Sequence, residues 1–161
     1  MPQTQDWQLP GYAHLPGINV RPGDGVLEQI AGMAPKPTVA ATARTNAVWL
    51  YGLKLIEAGF YWEAHEVLEP VWWNAAPNGR ERHCVQGVIQ LANAALKAKC
   101  GRLRAAVRLA RIAAGLLERA RRPDEAIFMG VDLGEAMRIA ACLAEGDEPP
   151  SFSALRLQSN I

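Results

Sequence analysis

The residues that interrupt regular backbone frame this chain. From residue 40 onward, Gly59, the run NAAPNG at 74–79, Gly101, Pro123 and Gly146 divide the sequence into stretches of helix length. Glycine ends helices cheaply because it accepts a left-handed backbone, and proline cannot continue one. The stretches so delimited are 40–58, 60–74, 80–100, 102–121 and 132–145. None shows the alternation or β-branched run of a strand. The pattern predicts a helix over each, with connections short enough to make consecutive helices antiparallel neighbours. The expected fold is all-α, an up-and-down bundle of four to five helices.

Residues 1–39 have a different character. The run PGYAHLPGINVRPGDG and then APKP is too rich in proline and glycine for regular structure. Yet the segment carries Trp7, Tyr12, Leu15, Ile18 and Val20, more apolar surface than a disordered tail needs. It is expected to be an extended arm packed on the bundle, with a short helix over 24–32 opening near Asp24. The bundle domain then occupies 40–146 and a non-helical tail 147–161.

A chain of 161 residues, half of them hydrophobic and a fifth charged, can bury one sizeable core. Cys84, Cys100 and Cys142 follow no metal or disulfide spacing, which fits free thiols in a reducing compartment. The opening MPQTQDWQLPG has neither a basic start nor an apolar run, and no stretch is apolar for long enough to span a bilayer. A cytoplasmic location is expected, with no membrane partner. The net charge is +1, but residues 97–122 hold nine Lys and Arg against Glu118 alone, which nets +8 and leaves −7 for the rest. With no nucleic-acid motif beside it, this basic segment is expected to be a solvated or internally paired face, and nucleic acid is a disfavoured partner.

The stretch FYWEAHEVLEPVWW, residues 60–73, sets His65 and the acids Glu63, Glu66 and Glu69 among aromatic rings. On a helical wheel Phe60, Ala64, Val67, Leu68 and Val71 form a core stripe, while His65, Glu66 and Glu69 share the other half with Trp62 and Trp73. Indoles around a His–Glu pair imply a helix covered on both sides. Its acids then need partners, because an unpaired buried charge is costly. The next helix offers Arg82, Gln86, Gln90, Asn93 and Lys97 in one stripe, and amides suit buried networks. Arg82 or Gln86 is therefore expected to reach Glu66 or Glu69. Pro70 should kink or end its helix.

The runs AGFYWEAHEVLEPVW, GRERHCVQGVIQLANAAL and GRLRAAVRLARIAAGLL resemble the helical family catalogued as domain of unknown function 309, over roughly residues 43–120. The matching positions are Tyr61, Glu63, His65, Glu66, Glu69 and Trp72, then Gly79, Arg82, Gln86, Gly87 and Gln90. Pro70 departs from the family pattern, as do Ala95, Leu96 and Lys97, where a histidine is common. The resemblance implies a small helical bundle and no particular activity.

Three readings of the site follow. In the first, Glu63, His65, Glu66, Glu69, Arg82, Gln86 and Gln90 form a structural network, and the protein acts through its surface as an interaction module or homo-oligomer. In the second, His65, Glu66 and Glu69 hold a divalent metal for hydrolysis, with His14 or His83 completing the shell. That reading lacks an HExxH pattern and a second Glu-x-x-His copy, and no cofactor is expected on the first. An acid–base reading through His65, oriented by Glu69 with Arg82 holding an anion, has no nucleophile in reach, since Ser151, Ser153 and Ser159 all lie in the tail. In the third, AVWLYGLKLIEAGFYWEA echoes the opening of a tetratricopeptide repeat and the chain is a peptide-binding module, although no second copy follows.

Overall fold

A computed structural model describes residues 6–148 and 151–155. It is all-α apart from one very small hairpin. A short helix α1 (Val26–Ala31) is followed by α2 (Ala47–Glu57), α3 (Tyr61–Trp73), α4 (Arg80–Lys99) and α5 (Leu103–Ala120). The two-residue strands β1 (Ile127–Phe128) and β2 (Val131–Asp132) then lead into α6 (Leu133–Ala144). From α2 to α6 each helix packs on the next, and α4 also touches α6. No helix among the described residues is long and apolar enough to cross a membrane.

The stretch expected as one helix over 40–58 is two elements. A 3-10 turn spans Ala40–Thr45, and Asn46 then leaves helical geometry with φ −79° and ψ 93°. Its side chain accepts a hydrogen bond from the Trp49 amide at 3.1 Å. Asparagine satisfies an N-terminal amide of the following helix better than it continues the preceding one, so the break falls at Asn46. Pro70, in contrast, does not end its helix: α3 continues to Trp73.

The hairpin was not expected, because two-residue strands leave no periodicity. Its turn residues Met129 and Gly130 both have positive φ, 54° and 77°, as a tight two-residue hairpin requires. The indole N–H of the fully buried Trp49 donates to the Met129 carbonyl at 2.9 Å, tying this turn to α2.

Helices α4 and α5 approach closely because their facing residues are small. Ala92, Ala95, Ala106, Ala110 and Ala113 are buried in the common core, as is Gly87 on α4. A Cβ at Gly87 would lie 2.8 and 2.9 Å from Leu117 Cδ2 and Cγ and 3.3 Å from the Leu117 backbone nitrogen. Gly52 plays the same part between α2 and α3, where an added Cβ would overlap the Leu68 side chain. At Gly115, exposed on α5, an added methyl meets nothing within 4 Å.

Overpacking costs about 1–3 kcal/mol, whereas replacing an exposed helical glycine by alanine gains up to about 1 kcal/mol. Gly87→Ala is therefore expected to lower the denaturant midpoint and Gly115→Ala to raise it. The opposite ordering in urea titrations would contradict this packing.

Candidate functional site

Helix α3 is covered on both sides, but by different elements from those its sequence suggests. Ala64, Val67, Leu68 and Val71 are buried in the core, and so is Glu63, at 0 % exposure. The acid's partner comes from the arm and not from α4. The His14 backbone amide donates to Glu63 Oε2 at 2.8 Å, while Oε1 has no hydrogen-bond partner among the described residues. The His14 ring stands edge-on to Trp62, 4.7 Å between centroids at 83°, and Arg21 lies over the same indole at 5.1 Å.

The arm is folded to make this contact. Asn19 Oδ1 accepts from the Leu15 amide at 2.9 Å and lies 3.0 Å from His14 Nδ1, while its Nδ2 donates to the Ala13 carbonyl at 2.9 Å. One asparagine thus closes the loop that aims the His14 amide at Glu63. Upstream, Tyr51 donates to the Gln8 carbonyl at 2.8 Å and packs edge-on against Trp7. Burial pushes the Tyr51 hydroxyl above its usual pKa, and the negative charge of Glu63 adds to the shift. Lys54 reaches Asp6 at 3.5 Å and the Trp7 carbonyl at 3.4 Å.

The expected cross-hairpin network is corrected by these positions. Arg82 does not reach Glu66 or Glu69. Its guanidinium stacks over Trp72 at 4.5 Å and Trp73 at 5.3 Å, and its Nη1 lies 3.4 Å from the Ala75 carbonyl. The reason is angular. Trp72, which meets Arg82 of α4, lies about 120° around α3 from Glu66, and Glu66 and Glu69 line the α1-facing cleft, with Trp73 shared between the two. His65 is half-buried, at a wheel angle near Trp72. The half-buried Gln86 side chain forms no hydrogen bond with the described residues, and the Gln90 side chain accepts only from Asn93, at 3.3 Å.

The arginine of α4 that pairs with an acid of another segment is Arg80, for which the sequence carries no distinguishing signal. It is 16 % exposed, pairs with Glu125 at 2.7 Å, donates through Nε to the Ala120 carbonyl and covers the Phe128 ring at 3.8 Å. It fastens the start of α4 to the end of α5 and to the hairpin.

The residues considered as metal ligands do not converge. His65 and Glu69 are one turn apart, but Glu66 projects about 100° from His65, and Glu69 is exposed. Among the described residues no three His, Cys, Asp or Glu side chains are placed to hold a metal ion. His14 serves the arm, and His83 is half-buried on α4. Burial pushes the Cys84 thiol up to about 12, so it is no nucleophile near neutral pH. Ser159 lies outside the described residues.

What Glu66 and Glu69 do form is a groove. With Pro70 and Trp73 of α3 and Leu27, Glu28, Ala31 and Gly32 of the α1 region, they line a cleft of about 370 Å³. Its floor is apolar and its rim carries three carboxylates. Trp73 is 62 % exposed, and nothing in the pattern VWW told it apart from its half-buried neighbour Trp72. Pro70 has no amide hydrogen, so the carbonyl of Glu66 lacks the donor a regular helix would supply. The cleft therefore gathers hydrogen-bond acceptors around an indole.

Glu63→Ala would remove the acceptor of the buried His14 amide, and a lost partner of this kind costs about 1–3 kcal/mol. A correspondingly lower thermal midpoint is expected by circular dichroism, and an unchanged one would show that the arm is held by other contacts.

No curated protein and no solved structure is matched by the chain. Residues 49–109, from within α2 to within α5, match the family model described as Domain of unknown function (DUF309). They include Glu63, Glu66, Glu69 and Trp73, and over that span the chain is similar to the DUF309 family.

Proposed function

We propose that the protein is an interaction module whose docking site is the groove between α1 and the second half of α3, and that it receives a partner segment carrying Lys or Arg beside an apolar anchor. The single observation behind this reading is the exposed indole of Trp73 on an apolar floor rimmed by Glu28, Glu66 and Glu69. Glu66 and Glu69 have no ion pair with the described residues, and Glu28 has only a long contact of 3.4 Å with the exposed Arg21. Exposed aromatics are typical anchors of interfaces, and unpaired charges at a rim steer and orient a partner of opposite sign.

The chemistry of the occupant follows from the groove's acceptors. A guanidinium or ammonium group would meet two carboxylates and the Glu66 carbonyl freed by Pro70, and Trp73 offers it a π face. An apolar side chain one helical turn away would settle on Leu27, Ala31 and Pro70. This peptide-binding role needs no repeat architecture. The polar residues of α3 then divide in two: Glu63 is structural and holds the arm, while Glu66 and Glu69 serve the surface.

An amphipathic leucine–lysine peptide of about fourteen residues, four helical turns, is the direct probe. Isothermal titration should show binding that weakens with salt. Trp73→Ala, as the loss of an interface anchor worth 2 kcal/mol or more, should weaken it about thirtyfold. Glu66→Gln with Glu69→Gln should remove most of the salt dependence. Equal affinity for wild type and both variants would contradict the groove as the docking site.

A further inference from the structure

A row of like charges lies on α5, and the groove makes no use of it. On a wheel at 100° per residue, Arg104, Arg108, Arg111 and Arg119 fall within an arc of about 80°. All four are exposed. The only other position of α5 inside that arc is Gly115, also exposed and with open space where a side chain would be. Opposite the arc, Ala106, Ala110, Ala113, Leu117 and Ala120 are buried. The helix is thus an alanine-faced strut carrying a straight row of guanidinium groups about 22 Å long, taking 1.5 Å per residue.

Of the two expectations for this segment, a solvated or an internally paired face, the structure holds the first for this row. Elsewhere several basic residues have acidic partners: Arg21 with Glu28, Lys54 with Asp6, Arg80 with Glu125 and Arg138 with Glu135. In the basic segment the only ion pair among the described residues is Arg121 with Glu118, at 3.7 Å. The four arginines of the row form neither an ion pair nor a side-chain hydrogen bond with them.

The row also runs against the helix it sits on. Residue Arg102 occupies the N-cap without a side-chain cap, Arg104 follows in the first turn, and that turn contains no acid. Cations there oppose the positive end of the helix dipole, a local conflict that an external anion would relieve. Lys97 and Arg102 share a small recess beside this end, extending the positive surface.

We propose that α5 is a docking surface for the phosphate backbone of double-helical nucleic acid, bound without regard to sequence. Guanidinium groups match phosphate oxygens in planar, paired fashion, and they stand here in a row on a rigid helix. The row contains no aromatic ring, so it lacks the stacking platform that a single strand would use. It contains no asparagine or glutamine to read base edges, so affinity must come from phosphate contacts. An acidic polypeptide is the weaker fit, because the row itself contains no apolar side chain and the exposed Ile112 beside it is the one apolar contact near its centre. Gly115 leaves room for a close approach by the backbone of a duplex.

Fluorescence anisotropy with a labelled mixed-sequence DNA duplex of about 20 base pairs, roughly 68 Å at 3.4 Å per step, tests this on the full chain. Four phosphate contacts predict a slope of log K against log salt near −4, so binding should weaken about a hundredfold between roughly 50 and 200 mM salt. Arg108→Gln with Arg111→Gln should reduce the magnitude of the slope by about two. Arg138→Gln, on α6, should leave the slope unchanged. Both altered sites are exposed, and matching melting curves would show that folding is intact. Three results would overturn the proposal: no binding of wild type at 50 mM salt on the order used above, an equal effect of Arg138→Gln, or displacement of the duplex by poly-glutamate as readily as by unlabelled duplex.

Discussion

A carboxylate with no exposure to solvent sits on α3 and accepts a hydrogen bond from the backbone of a segment 49 residues earlier in the chain. Much of the architecture can be understood from that contact. The arm supplies the hydrogen bond that buried Glu63 accepts, and the arm has no regular hydrogen bonding of its own to hold it in place. Asn19 shapes the loop, His14 delivers the amide, and Trp62 packs against both the His14 imidazole and Arg21. The core side of α3 meets the neighbouring helices while the arm and α1 cover its outer side. Thus the aromatic surface of FYWEAHEVLEPVWW is divided between the interior and the arm. The part left over, around Trp73, becomes the groove.

The same arrangement separates the charges. The acids of α3 that do not bind the arm stand at a groove rim, while the arginines of α5 stand on a different helix with the bundle core beneath them. A chain whose net charge is only +1 therefore presents an acidic apolar cleft and a basic row on separate elements. Such separation keeps the two proposed docking surfaces from neutralising each other. The compact helices, close-packed through Gly52 and Gly87, hold the two surfaces on rigid elements.

The helical bundle was legible in the sequence because its signals are local. Gly59, Gly101, Pro123 and Gly146 act on the backbone at their own positions, and the wheel of α3 correctly placed Ala64, Val67, Leu68 and Val71 inside. The break at Asn46 was overlooked because an asparagine within an apolar periodic run reads as a tolerated polar residue until its cap is seen. The hairpin was overlooked because Met129 stands at a left-handed position where Asn or Asp is usual. The site was read less well because its contacts are distant. Angular position on α3 shows that Glu63 is buried, yet it cannot say that a backbone amide from a proline-rich arm is the partner. Likewise Arg80 and Arg82 are two residues apart and look alike, and only the neighbouring ends of α5 and α3 decide that one clasps Glu125 while the other stacks on indoles.

The contact between the arm and Glu63 is most directly tested by native-state hydrogen exchange at the single amide of His14. A residue in a proline-rich, non-helical segment would ordinarily exchange within the dead time of the measurement. If this amide is bonded to a buried carboxylate, its exchange should be slowed by several orders of magnitude, approaching that of core amides in α2 and α3. Exchange at the rate of an unstructured peptide would contradict the account, because the arm would then not be fastened to α3 and the two-sided burial of that helix would have no foundation.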